Sequence, residues 1–241
     1  MKMGTCLLRF WDNTNSMMLS TEEINRAIYL DFESKGKKRD GTQPPPALGG
    51  TLIETVYKPT LLDPALQHAA TFRSYGHSSL KNYLTEIYEQ ATNETRRIIF
   101  FSSTEFNIFK NHSFDISEIG FDLRGPAKQS RLYTDVWKEF KKNERLFRNP
   151  NTAKTTKRTL RTKAFGLLTL IAADLGMPRP GAYGPGITGE RIRYALKQAR
   201  EKDDYKSWSR GGKTKLTCLV KHNKHDCKCT EYVLKDLAKN I

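Results

Sequence analysis

The stretch Ala27-Ile28-Tyr29-Leu30-Asp31-Phe32-Glu33-Ser34 carries two carboxylates at alternate positions. Its β-branched and aromatic residues suit a buried strand, and the Lys35-Gly36-Lys37-Lys38 that follows suits a turn. Side chains alternate along a strand with period two. Asp31 and Glu33 therefore share one face, while Ile28, Leu30 and Phe32 share the other. Like charges that close together on a largely buried strand either share a proton or are held by a cation. A divalent metal is the simplest holder; a solvated sheet edge is the plainer alternative.

A further carboxylate is marked out by helical spacing. Leu216, Leu219, Val220, Asn223, Asp226, Cys227, Thr230, Val233, Leu234 and Leu237 recur at three and four, so Asn223 and Asp226 lie inside an apolar stripe. A carboxylate on the packed face of a helix is costly unless it is paired, caps a helix or binds metal. The soft ligands nearby, Cys218, His222, His225, Cys227 and Cys229, suggest zinc. On one continuous helix, however, Cys227 and Cys229 point about 200° apart, so a single ion could not collect them all.

The intervening elements must bring these groups together. Residues 1–24 read as an arm or short extra strand, and 25–241 as one α/β domain. A proline- and glycine-rich loop spans 35–50, and Thr51–Tyr57 reads as a strand antiparallel to the first. Leu80, Tyr83, Leu84, Ile87, Tyr88 and Ala91 predict an amphipathic helix. Arg97–Ser102 reads as a strand buried on both faces, followed by a hydroxyl-capped helix from Ser103. Strand, helix, strand implies a parallel crossover. Ligands in such sheets sit at the carboxyl ends of strands, where Glu105 falls. Helices are also expected over Asp135–Phe147, Phe165–Gly176 and Ile187–Ala199.

The chain has 241 residues, a formal net charge of +15 and a sequence pI near 9.7. Such a balance points to a polyanionic partner, DNA or RNA before an anionic membrane surface. The densest basic clusters are Lys35, Lys37, Lys38 and Arg39 beside the first acids, and a stripe from Lys138 to Lys163 that includes Lys154, Lys157, Arg158 and Arg161. Both are expected to contact phosphates, the alternative being solvated surface. The apolar core of the first ten residues is too short for a signal peptide, and no segment reaches bilayer-spanning length. A cytoplasmic protein is expected, its four cysteines reduced. A protein partner or a second copy of the chain stays open.

Taken together, the Asp-x-Glu strand, the buried strand leading to an acid-bearing helix start, the core helix ending in leucine-glycine and the Asn-x-x-Asp helix resemble the DEDD-type nucleases of the RNase H-like superfamily. They are most similar to the predicted bacterial RNase H-like exonuclease group, over roughly residues 25–240. The resemblance implies a mixed five-stranded sheet flanked by helices, two Mg²⁺ or Mn²⁺ ions and phosphodiester hydrolysis of DNA or RNA, typically 3′ to 5′. Residue by residue it makes Asp31 and Glu33 the first motif, Glu105 the second and Asp226 the last, as catalytic and metal-binding residues. A register with Asn107 in place of Glu105 stays open, and Asp122 is a further candidate acid. Relatives usually carry Tyr four residues before the final Asp, or His five before it. Here His222 stands four before and Lys221 five before. His222 is the candidate for orienting the attacking water. The departure also leaves a catalytically inactive nucleic-acid-binding or scaffold subunit as the alternative function.

Overall fold

The computed structural model of the chain describes residues 7–10, 17–36, 42–149, 151–153, 155–156, 166–178 and 187–240. Before the first acids, β1 (Leu7–Phe10) and β2 (Met17–Ser20) pair antiparallel, and Leu19 is buried in the core. The helix α1 (Thr21–Arg26) follows, opened by a capping box. Ser20 Oγ accepts from the Glu23 N–H, and the Glu23 carboxylate accepts from the Ser20 N–H.

The next elements build one sheet. They are β3 (Ile28–Glu33), β4 (Leu48–Ile53), β5 (Val56–Leu61), α2 (Gln67–Arg73), β6 (Gly76–His77), α3 (Leu80–Asn93), β7 (Ile98–Phe100), α4 (Ser103–Asn111) and β8 (Gly120–Asp122). Strand order is β6-β5-β4-β3-β7-β8. β3, β4 and β5 pair antiparallel, whereas β3–β7, β7–β8 and β5–β6 are parallel. The molecule is thus an α/β protein with a mixed sheet. Among the described residues the sheet has six strands rather than the five expected, the extra one being the two-residue edge β6. The expected strand Thr51–Tyr57 is two strands. Glu54, at φ 56°, turns the chain between them, so the apolar Leu52, Ile53 and Val56 belong to two neighbours.

Helices cover both faces. On one, Ile28 and Leu30 of β3 pack with Tyr83, Leu84, Ile87 and Ala91 of α3 and with Phe109 of α4. Further helices among the described residues are α5 (Arg124–Gln129), α6 (Thr134–Arg148), α7 (Leu167–Asp174), α8 (Ile187–Glu201) and the thirty-residue α9 (Arg210–Lys239). α9 lies across β3, β4 and β7. Its C-terminal half packs on α7, and its N-terminal half with α8 and α2. One glycine allows that close approach. Gly50 lies opposite Asp31 in the β3–β4 register, and a Cβ there would collide with the Asn223 carboxamide of α9. No helix among the described residues is long and apolar enough to cross a membrane.

Candidate metal centre

Strand alternation turns Tyr29, Asp31 and Glu33 toward α9, as the spacing implies. Glu105 is the third residue of α4, where β7 ends. Ser102 caps that helix by accepting from the Thr104 N–H, and its hydroxyl donates to Glu105 Oε2 at 2.5 Å. Asp226 comes from the middle of α9. The four carboxylates sit close enough that Glu33, Asp226 and Glu105 each push up the proton affinity of Asp31. One strand, one helix start and one long helix thus aim acids at one spot, the carboxyl end of β3, the strand that pairs antiparallel with β4 and parallel with β7.

The site is largely screened from solvent and crowds four carboxyl groups together. Glu33 is 8% exposed and Glu105 5%. Burial first, and then mutual repulsion, raises Asp31 and Glu33 well above the usual carboxylate range. Burial alone carries Asp226 up to about 7, against a lowering by His225. Burial likewise carries Glu105 up to about 7, although the Ser102 hydroxyl bond favours its charged form. Glu33 Oε1 and Asp226 Oδ1 are buried with no hydrogen-bond partner. Buried carboxylate oxygens without donors carry a desolvation cost that a cation would remove. Carboxylate donors suit Mg²⁺ or Mn²⁺ rather than a thiophilic ion, so the residues fit such a group.

His222 belongs to this cluster. Its Nε2 lies 3.5 Å from Glu33 Oε1 and 3.3 Å from Asp226 Oδ2. Burial, helped by the positive charge of Arg191, lowers its pKa to about 4. The ring is therefore neutral at neutral pH and able to ligate a metal or orient a water.

Two residues beyond the expected set complete the centre. Asn223, fully buried, donates through Nδ2 to Asp31 Oδ2 at 2.7 Å and to the Asp31 carbonyl at 3.0 Å. Its Oδ1 accepts from the Tyr57 hydroxyl at 2.7 Å. The carboxamide therefore fixes the orientation of the Asp31 carboxylate. Arg191 of α8 is 7% exposed, and its charge lowers Glu33. The sequence signal for it was available. Arg191 sits on the α8 face that also buries Ala195 and Gln198, so it is a charged residue on a packed stripe, as Asp226 is.

The structure separates the other candidates. Asn107 is two residues from Glu105 and so on another side of α4, where it lines a neutral cleft with Ser103, Asn111 and Pro44–Pro46. Asp122 Oδ1 accepts from the Arg124 N–H at the start of α5, yet its charge still reaches Glu105. Lys35 turns its ammonium to Asp63 Oδ2, 3.9 Å away. Lys37, Lys38, Arg39, Lys154, Lys157, Arg158 and Arg161 lie outside the described residues. Within the rest of the expected stripe, Lys138, Lys141, Lys142 and Arg145 of α6 line a shallow groove with Trp137. The Nζ atoms of Lys128 and Lys141 sit 5.0 and 5.3 Å from the Trp137 ring centroid. Burial pushes the Cys227 and Cys229 thiols up, so neither is an activated nucleophile.

Comparison of the chain with protein-family models, with curated proteins and with solved structures finds no match.

Proposed function

We propose that the protein is a metal-dependent nuclease with an RNase H-like fold, cutting phosphodiester bonds of DNA or RNA, with 3′–5′ exonuclease action expected. The observation that carries the proposal is the convergence of Asp31, Glu33, Glu105 and Asp226 at one spot, where Glu33 Oε1 and Asp226 Oδ1 are buried without a hydrogen-bond partner and the His222 ring nitrogen comes no nearer to Glu33 Oε1 than 3.5 Å. The core order β5-β4-β3-β7-β8 supports the same reading, with the Asp-x-Glu strand at the junction between antiparallel and parallel pairing.

In this reading Asp31, Glu33, Glu105 and Asp226 would hold two Mg²⁺ or Mn²⁺ ions, whose chemistry when bound would be activation of a water and stabilisation of the leaving oxygen. The chain's own residues hold that arrangement ready. Asn223 fixes Asp31, Ser102 fixes Glu105, and Arg191 keeps Glu33 from gathering a proton too readily. Neutral His222 stands beside Glu33 and Asp226, where it can accept a proton from, or align, a water. The aromatic and basic groove on α6 is suited to a strand of nucleic acid, through phosphate contacts and base stacking.

The second reading is a nucleic-acid-binding or scaffold subunit without catalysis. It is favoured by one observation, the His222 ring lying between two of the acids. Incubating the purified chain with end-labelled single- and double-stranded DNA and RNA, in Mg²⁺, Mn²⁺ or EDTA, separates the two. The nuclease cuts only with metal and loses cutting in Asp31→Asn. Binding without cutting under every condition selects the subunit reading.

A further inference from the structure

Next to Asp226 the long helix carries a second group of donors, and these include soft sulfur. His225 Nε2 lies 3.1 Å from Cys229 Sγ, one helical turn on. Cys229 Sγ in turn lies 3.6 Å from Met177 Sδ, which enters from the segment after α7. Ligand atoms of His225, Asp226 and Cys229 all fall within 4.8 Å of one another. Cys229 is fully buried, whereas His225 is partly exposed and opens the group to solvent.

We propose that His225, Cys229 and Met177, with Asp226 as the fourth donor, form a binding site for a thiophilic d¹⁰ cation, zinc or copper(I), which shares Asp226 with the carboxylate centre. A thiolate, an imidazole and a thioether select soft and borderline ions and discriminate against Mg²⁺. Ligands around a tetrahedral ion at bond lengths of about 2.0–2.3 Å stand roughly 3.3–3.8 Å apart; Cys229 Sγ already stands 3.1 Å from His225 Nε2 and 3.6 Å from Met177 Sδ, so small side-chain shifts would admit an ion. The two elements are also held together independently of a metal. The Met177 N–H donates to the Ala172 carbonyl at 2.9 Å, and the Tyr232 hydroxyl of α9 donates to the Leu175 carbonyl at 3.1 Å. Cys227, by contrast, turns its thiol to the Gly50 carbonyl at 3.4 Å and takes no part.

Asp226 belongs to two groups, one with Glu33 and His222 and one with His225 and Cys229. A soft ion in the second group draws the Asp226 carboxylate away from the first, so zinc acts as an inhibitor of the Mg²⁺-dependent reaction. That regulatory consequence rests on the nuclease reading; the binding site does not. On binding, the sulfur–hydrogen bond of Cys229 gives its proton to solvent as the sulfur–metal bond forms, with no change of oxidation state.

The test is a titration of the reduced, metal-free full chain with Cd²⁺, followed by thiolate-to-metal charge-transfer absorption. The expected result is one equivalent bound, displaced by Zn²⁺ but not by excess Mg²⁺, and unchanged in Cys218→Ser and Cys6→Ser. Cys229→Ser abolishes the band. Met177→Leu, which conserves volume, weakens binding by at least the roughly 10–100-fold that loss of an outer-shell partner costs. No band, or a band that survives Cys229→Ser, overturns the site. Should Cys229→Ser fail to fold, unchanged affinity in Met177→Leu overturns it instead. One equivalent of Zn²⁺ should also slow Mg²⁺-dependent cleavage in the wild type but not in Met177→Leu. Cd²⁺ binding by a chain that cuts nothing leaves the site standing and removes only the nuclease reading.

Discussion

Asp31 is held by a partner that does no chemistry itself. Asn223 satisfies Asp31 on one side and Tyr57 on the other, so Asn223→Ala strands two buried polar groups at once. That variant is expected to lose about 1–3 kcal/mol of stability, read as a lowered denaturant midpoint; an unchanged midpoint would mean that the carboxamide is not what holds Asp31. Proton linkage gives a second expectation. Glu105 and Asp226 titrate near 7 when folded, against 4.5 and 3.8 for unperturbed groups. Between these values the folded chain binds more protons than the unfolded one. Their contribution to metal-free stability is therefore greatest at the acid end and is lost as pH rises through about 7. Thermal unfolding in EDTA should show this fall, Asp226→Asn should flatten it, and Mn²⁺ should raise the melting temperature most at the neutral end. The acids themselves were legible because alternation and helical spacing put Asp31, Glu33 and Asp226 on packed faces. Arg191 went unread although it stands at helical spacing from Ala195 and Gln198, because the apolar residues around it already account for a helix and nothing local ties its charge to Glu33.

At the level of elements, the site depends on how closely α9 can approach the sheet. Gly50→Ala forces a methyl group into Asn223 opposite Asp31, so it should destabilise the fold and lower metal affinity together, whereas Gly125→Ala, which meets nothing, should do neither. Stability and affinity that move separately in Gly50→Ala would break the link between helix seat and site. The helices α3 and α9 were readable from apolar spacing, α4 from its hydroxyl cap, and β7 from its continuous apolar run. The β4–β5 hairpin was not. Its turn is Glu54-Thr55 rather than a glycine or asparagine pair, so no local residue type announces the reversal. α1 also went unread, although Ser20 and Glu23 stand at capping-box spacing, because six residues are too few to show a period. On α6, the Trp137 groove is expected to bind nucleic acid through released counterions. Replacing Lys141 or Arg145 should each lower the slope of log affinity against log salt by about one, with little change in sequence preference. Salt-insensitive binding would assign the groove to ordinary solvated surface.

Over the whole molecule, a chain of formal charge +15 gathers four carboxylates, two of them buried and two half-buried, at one spot. That contrast is what a protein needs if it is to draw in a polyanion and still concentrate divalent cations at one point. The sheet and the helices on both its faces make the arrangement rigid, since each acid stands on a strand, a capped helix start or a thirty-residue helix rather than on a free loop. The claim on which the rest depends is that these acids hold divalent metal. Isothermal titration of the metal-free chain with Mn²⁺, for the wild type and for Asp31→Asn side by side, tests it most directly. The arrangement predicts two Mn²⁺ ions on the wild type and loss of at least one in Asp31→Asn, with the fold intact by circular dichroism. No Mn²⁺ binding, or binding that Asp31→Asn leaves unchanged, would contradict it.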